Sequence, residues 1–211
     1  MKSDSTRFDY ETILGLVRPR TTALDLGCGD GELLASLARE RQVRGQGIEI
    51  DSQAVYQCVA RGISVIHGDI DSALADYADN AFDYVILNQS FQQVKQPDTV
   101  LQESLRVGRD VIVGFPNFAQ LSARFQIAIR GKTPVTPSLP FAWYNTPNVH
   151  FLSISDFIEY CRDRGIRIKK SVYIGKNGRV RICPNAIASS GIFLITQQNN
   201  GEREDDRPQV S

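Results

Sequence analysis

From residue 8 to residue 117, apolar stripes of helical spacing and short apolar runs of strand length follow one another. FDYETILGLV (8–17) sets Phe8, Ile13, Leu14 and Val17 near helical spacing, and Pro19 closes the helix this predicts. TTALDL (21–26) reads as a short buried strand and GELLASLARE (31–40) as a helix. The pair then repeats. VRGQGIEI (43–50) is a strand, DSQAVYQCVARG (51–62) a helix closed by Gly62, and ISVIHGD (63–69) a strand. AFDYVILNQS (81–90) is the strongest strand, with Phe82, Val85, Ile86 and Leu87. PDTVLQESLRVG (97–108) has proline in its first turn and glycine at its end, the two boundary residues of a helix, and RDVIVGFPN (109–117) is a further strand. Strands alternating with helices predict a parallel sheet covered on both faces, and right-handed crossovers fix most of its topology.

Beyond Asn117 the pattern changes. FAQLSARFQIAIRG (118–131) predicts an extra amphipathic helix with Phe118, Leu121, Phe125 and Ile129 on one side. In KTPVTPSLPFAWYNTPNVH (132–150), Pro134, Pro137, Pro140 and Pro147 exclude both regular helix and central strand. Residues 117–150 therefore read as an insertion: a helix, then a proline and aromatic segment that is either a lid or a docking surface. SISDFIEYCRDRG (153–165) opens a helix with Ser153 and Ser155 as candidate caps and Asp156 in the first turn. IRIKKSVYIG (166–175) and SGIFLITQQ (190–198) are expected as an antiparallel pair of late strands. The domain is expected to span 1–198, and the polar, charged residues 199–211 to form a disordered tail.

Composition narrows the setting. With 42% hydrophobic and 23% charged residues the chain reads as globular, and its 24 Lys and Arg balance 24 Asp and Glu. No general attraction to nucleic acid or anionic membrane follows from that balance, and the basic stretch RDRGIRIKK reads as a solvated face. No apolar run approaches bilayer length, and MKSDSTRFDY has no apolar signal core, so the cytoplasm is the expected compartment. Cys28, Cys58, Cys161 and Cys183 are far apart in sequence, and the histidines are His67 and His150, so no metal site is expected and the thiols are read as reduced.

The chemistry lies in LDLGCGDGELL (24–34), where Asp25 stands just ahead of Gly27, Gly29 and Gly31. Glycine-rich turns between strand and helix hold anions on backbone N–H groups, yet Asp25 would repel a pyrophosphate. The order D-x-G-x-G-x-G also departs from the G-x-G-x-x-G of dinucleotide sites. A ligand with an amino-acid end suits both features: its ammonium is drawn toward Asp25, directly or through water, and its carboxylate meets N–H groups near Gly27 and the helix start. Glu49 ends the second strand about 20 residues further on, where an acid accepts ribose hydroxyls. Asp69 ends the third strand, placed either to accept an adenine amine or to shape a turn. S-adenosylmethionine joins an amino acid, a sulfonium, a ribose and an adenine, and is the expected ligand.

This arrangement resembles the class I S-adenosylmethionine-dependent methyltransferases over residues 20–197. LDLGCGDG looks like their first motif, GIEID their acidic second-strand end, HGDID their adenine-side acid, and FDYVILNQSFQQV their fourth strand and its exit. The resemblance implies an α/β, doubly wound, Rossmann-like sheet of seven strands, the last antiparallel. It puts Asp25, Gly27 and Gly29 at the methionine end of S-adenosylmethionine or S-adenosylhomocysteine. Glu49 and Ile50 fall at ribose and adenine, Asp69 and Ile70 at adenine, and Asn88 and Gln89 beside the reacting centre. The prolines of the DNA amino-methylating N/D-P-P-Y/F motif are absent from Asn88-Gln89-Ser90-Phe91, and Gln92 and Gln93 stand where many relatives carry histidine. His150 is the candidate general base or else a loop-structuring residue, and His67 reads as structural.

A closer likeness runs through LDLGCGDGELL, GIEID, CVARG, FDYVIL, VGFPNF and TPVTPSLPFAWYNTPN, which in this order resemble the methionine biosynthesis protein MetW family. The resemblance implies a methyltransferase-like protein that binds S-adenosylmethionine and assists or regulates a homoserine O-acyltransferase as its partner. It implies no methylated substrate, so a methyltransferase acting on a small-molecule acceptor stays open beside it. A dinucleotide-dependent enzyme is disfavoured by Asp25 and the glycine spacing.

Overall fold

The computed structural model describes residues 4–176 and 178–198. Its strands are β1 (Thr22–Leu26), β2 (Arg44–Glu49), β3 (Ser64–His67), β4 (Phe82–Asn88), β5 (Gly108–Pro116), β6 (Ile166–Gly175), β7 (Gly178–Arg179) and β8 (Ser190–Gln197). They form one sheet in the order β3-β2-β1-β4-β5-β8-β6-β7. Strands β1 to β5 pair in parallel, and β8 lies antiparallel between β5 and β6. The expected sheet with a final antiparallel strand is therefore present. It has eight strands rather than seven, because the connection after β6 folds back as the two-residue edge strand β7.

The helices are α1 (Asp4–Leu16), α2 (Glu32–Arg41), α3 (Ser52–Ala60), α4 (Ile70–Ala73), α5 (Pro97–Val107), α6 (Leu121–Arg130), α7 (Ile154–Asp163) and α8 (Pro184–Ile187), with a 3₁₀ turn at Phe91–Gln93. Their boundaries follow from local chemistry. Asp51 caps α3 by accepting from the Gln53 and Ala54 N–H groups. Ser153, rather than Ser155, caps α7, in a reciprocal box with Asp156. Alternation along β4 splits the core between the two sheet faces: Tyr84 and Ile86 join Ile13, Leu34 and Leu37 under α1 and α2, while Val85 and Leu87 join Leu101, Leu105 and Phe157 under α5 and α7.

Gly47 in β2 has no room for a side chain, because a Cβ there would overlap the Cys28 thiol and approach the Leu34 side chain. Its absence lets the glycine turn after β1 settle on β2. Gly47→Ala is expected to cost about 1–3 kcal/mol by overpacking, read as a lowered denaturant midpoint. An unlowered midpoint would show that Cys28 gives way freely.

The extra helix α6 forms, but its apolar stripe is not buried. Leu121, Phe125, Ile127 and Ile129 are between 48% and 69% exposed, and only Ala123 is buried. The following segment is anchored instead by side-chain amides: Gln126 exchanges hydrogen bonds with the Val135 backbone, and Gln120 donates to Thr136 and Ser138. Residues 199–211, the expected tail, lie outside the described residues. Among the described residues no helix is long and apolar enough to cross a membrane.

Candidate functional site

The sheet order reverses between β1 and β4: β2 and β3 follow on one side, β5 on the other. A crevice opens there at the carboxyl ends of the strands, as doubly wound sheets require. It holds a cavity of about 390 Å³ whose wall includes Gly27, Glu49, Ile50, Asp69, Ile70 and Gln89. Ser90, Gln93 and Lys95, which sequence reading did not assign to it, complete the side toward β4.

Gly27 sits at φ +75°, and a Cβ there would come within 2.8 Å of the Ser90 Cβ. Both the backbone conformation and the close approach call for glycine, which leaves the cavity floor open. The Gly27 N–H is turned inward and donates to Ile48 O at 2.8 Å. It is thus not available to a ligand carboxylate, which leaves of the expected N–H groups those toward the helix start.

Glu49 closes the turn. Its Oε2 accepts from the Gly29 N–H at 2.8 Å, and its Oε1 from the Ile50 and Asp51 N–H groups at 2.9 Å each. An ionised carboxylate has about four lone-pair sites, so Glu49 fixes the loop and still has acceptor capacity toward the cavity it lines. Gly29 serves this bond and does not itself line the cavity. Asp69 combines the two roles left open for it. It caps α4 by accepting from the Asp71 N–H at 3.1 Å, it lies in the cavity wall, and Lys95 Nζ approaches its Oδ2 at 3.6 Å.

Asp25 is elsewhere. It is 3% exposed at the last residue but one of β1 and outside the cavity wall, so it is not placed for direct contact with a ligand ammonium. Burial first, and then the neighbouring Glu49 charge, together push its pKa up to about 7. Asn88 ends β4 with its Oδ1 packed against Gly114, without a hydrogen-bond partner and outside the cavity wall. His150 donates its backbone N–H to Gln92 O at 3.0 Å and lines a separate apolar cavity with Phe91, Phe151 and Phe157. The structure therefore does not bring this base candidate to the crevice. His67 Nε2 lies 2.8 Å from Ile50 O, a structural contact.

A second cavity, of about 210 Å³, adjoins the first, and Gln89 and Gln93 line both. Its far wall comes from the proline and aromatic segment, through Pro137, Pro140 and Phe141. Trp143 and Tyr144 of the same segment face solvent at 74% and 73% exposure. The segment thus roofs a cavity with one side and presents aromatics with the other. Asp9 of α1 also reaches this cavity, and its signal in the sequence was an acid on a buried stripe, one helical step ahead of Ile13 and Val17.

Among the described residues, the buried side-chain atoms without a hydrogen-bond partner are Asn88 Oδ1, Ser90 Oγ, Gln92 Oε1 and His150 Nε2. Three belong to the exit of β4, and the fourth residue is hydrogen-bonded to it through its backbone. Buried polar atoms are ordinarily paired; of these four residues, Ser90 lines the first cavity, Gln92 the second and His150 the separate apolar one. Cys28 and Cys58 meet behind the loop with sulfurs 3.8 Å apart, both as free thiols whose pKa burial pushes up.

Comparison with known proteins bears on this geometry. The family model described as Methionine biosynthesis protein MetW matches residues 7–195. The Bifunctional methionine biosynthesis protein MetXA/MetW of Rhodopirellula baltica is 33% identical over 204 residues, covering 90% of this chain and 33% of that one. The chain spans between 33% and 54% of the length of the curated relatives it matches. Among solved structures, a SAM-dependent methyltransferase from Archaeoglobus fulgidus superposes with a TM-score of 0.67 at 13% identity, covering 91% of this chain and 92% of that one. A SAM-dependent methyltransferase from Thermotoga maritima gives 0.65 at 17% identity, with 91% and 90% covered. At such identities these two speak for the fold, which is that of class I methyltransferases.

Proposed function

We propose, from the premise that the chain belongs to the methionine biosynthesis protein MetW family, that it binds S-adenosylmethionine in the first cavity and thereby assists or regulates a homoserine O-acyltransferase. The observation that carries the ligand is the wall of that cavity: a glycine floor at Gly27, carboxylates at Glu49 and Asp69, apolar Ile50 and Ile70, and the unpartnered Ser90 Oγ, gathered at the switch point. This set fits an adenosyl amino acid. Glu49 would take the ribose hydroxyls, Asp69 with Ile50 and Ile70 the adenine, and Gln89 and Ser90 the end that carries the sulfonium. When bound, the group supplies an electrophilic methyl on sulfur. A dinucleotide phosphate, by contrast, would face two carboxylates and an inward-turned Gly27 N–H.

The relative from Rhodopirellula baltica, whose name joins MetXA and MetW in one bifunctional protein, supports the acyltransferase as partner. S-adenosylmethionine lies downstream of methionine, so its binding here would report on the state of the pathway. The cytoplasm is the compartment consistent with that role. A second reading, methyl transfer to a small acceptor, is favoured by one observation: the second cavity abuts the first at Gln89 and Gln93.

A charge-assisted hydrogen bond contributes about 1.5–3 kcal/mol. Glu49→Ala is therefore expected to weaken S-adenosylmethionine binding about 10- to 100-fold, measured by titration calorimetry on protein whose melting shows it folded. Equal affinity for wild type and variant would remove Glu49 from the site. For the partner, acyltransferase activity measured with this chain should change on adding S-adenosylmethionine, and a flat response would remove the regulatory role. Transfer of a radiolabelled methyl group to a small molecule of a cell extract would favour the second reading.

A further inference from the structure

The second cavity is an acceptor-rich site that has, among the described residues, no cation in its wall. Asp9 is 2% exposed, and among the described residues its carboxylate receives two hydrogen bonds, from Gln89 Nε2 at 3.0 Å and Ser190 Oγ at 3.5 Å. Among the described residues no lysine or arginine pairs with it, and none lines the cavity. Burial pushes its pKa up to about 6, so at pH 8 it is an ionised group short of partners.

Gln92 adds a second acceptor. It is 4% exposed, its Nε2 donates to Gln89 O at 2.9 Å, and its Oε1 is left unpartnered. The amide orientation is fixed by chemistry, since a carbonyl oxygen turned toward Gln89 O would repel it. Gln89 itself holds φ +62°, a left-handed conformation uncommon outside glycine, and from it the side chain spans from the β4 exit to Asp9. Around these acceptors stand apolar surfaces from Pro116, Pro137, Pro140 and Phe141.

We infer that this cavity is a binding site for the protonated primary amine of a small ligand, whose N–H donors meet the Asp9 carboxylate and Gln92 Oε1 while its apolar body packs on the prolines and Phe141. An ammonium group brings three N–H donors and a positive charge, which is what the wall lacks. Carboxylates and phosphates find no cationic partner there. A neutral alcohol brings a single donor and leaves the buried charge uncompensated. The amine site stands on the second cavity alone and does not depend on what fills the first. Its ammonium has two sources: the amino-acid end of an adenosyl ligand seated next door, or a separate amine.

The test uses phenethylamine, with phenethyl alcohol as its uncharged counterpart, titrated by calorimetry into the full chain at pH 8. The amine should bind at least 10-fold tighter than the alcohol. Asp9→Asn should lower the amine affinity at least 10-fold and leave the alcohol unchanged, and Gln92→Met should lower it severalfold, each in protein whose melting shows it folded. An amine no tighter than the alcohol, or a folded Asp9→Asn protein that keeps the amine affinity, overturns the site. If Asp9→Asn fails to fold, the wild-type ratio and Gln92→Met decide.

S-adenosylhomocysteine and methylthioadenosine, which lacks the amino-acid end, then separate the sources. Loss of the first alone in Asp9→Asn assigns the ammonium to the adenosyl ligand, and no change in either assigns it to a separate amine. Wild-type protein that binds neither nucleoside overturns the reading of the first cavity while leaving the amine result in place.

Discussion

Asp25→Asn is expected to stabilise the protein at pH 8 by on the order of 4 kcal/mol, with the gain shrinking as pH falls and disappearing near pH 4. The pKa of Asp25 rises from 3.8 in the unfolded chain to about 7 in the fold, first through burial and then through the Glu49 charge. Below 3.8 both states carry the proton and the site costs nothing. As pH rises the unfolded chain ionises first, so stability is lost progressively until the folded carboxyl also ionises near pH 7. At about 1.4 kcal/mol per pH unit across that span, the charged site destabilises the fold by on the order of 4 kcal/mol. Asn keeps the shape of the neutral acid and never ionises. The measurement is denaturant unfolding of both proteins at intervals from pH 4 to pH 8. Asp9, whose pKa also rises, titrates in both proteins and drops out of the difference. A difference that stays flat with pH would show that Asp25 carries no such penalty. The acid also bears on function. A sulfonium and an ammonium lodged in the crevice would offset part of the buried charge across the Gly27 turn. S-adenosylmethionine should therefore raise the melting temperature of wild type more than that of Asp25→Asn.

Which parts of this could be read from the chain depends on how local their cause is. Strands β4 and β5 are buried on both faces, so FDYVILN and GRDVIVGFP show as near-continuous apolar runs, and the centre of the sheet follows from them. Strand β7 is two residues long and exists only because the chain after β6 turns back on it, which leaves no period to detect. In α6 the stripe was legible and its burial was not: helical spacing says that Leu121, Phe125 and Ile129 share a side, not that anything covers it. Within the site, Gly27, Glu49 and Asp69 were legible because each follows or ends a strand of the repeating strand–helix pattern, which puts all three at the carboxyl edge of the sheet. Asp9 was missed because its partners Gln89 and Ser190 are 80 and 181 residues away, and only tertiary packing brings them together. For Asp25 the sequence left direct and indirect attraction open, because adjacency to the glycine turn does not reveal burial: at 3% exposure and outside the cavity wall it can act on a ligand only at a distance.

Phe157→Ala is expected to destabilise the protein by about 3–5 kcal/mol, the effect of emptying a buried aromatic position that neighbours cannot refill. Phe157 is 2% exposed, and its ring centre lies 4.9 Å from that of Phe193, 5.1 Å from Phe115 and 6.0 Å from Phe91. It joins α7 to β5, β8 and the 3₁₀ turn at once, so its removal leaves a void bordered by rigid rings. Phe157→Leu, which keeps most of the volume, should lose markedly less, and denaturant unfolding of the two variants measures the difference. The consequence reaches the crevice through Phe91. That residue opens the 3₁₀ turn whose next two, Gln92 and Gln93, line the second cavity, and Gln93 the first as well. With its aromatic partner gone, the turn loses the packing that holds Phe91 in place, and a site assembled on it needs that rigidity. Ligand affinity in the folded Ala variant should accordingly fall severalfold, although residue 157 lines neither cavity of the crevice. An Ala variant as stable as wild type would mean that the rings close over the gap, and the turn would then be held by its backbone and side-chain amide hydrogen bonds alone.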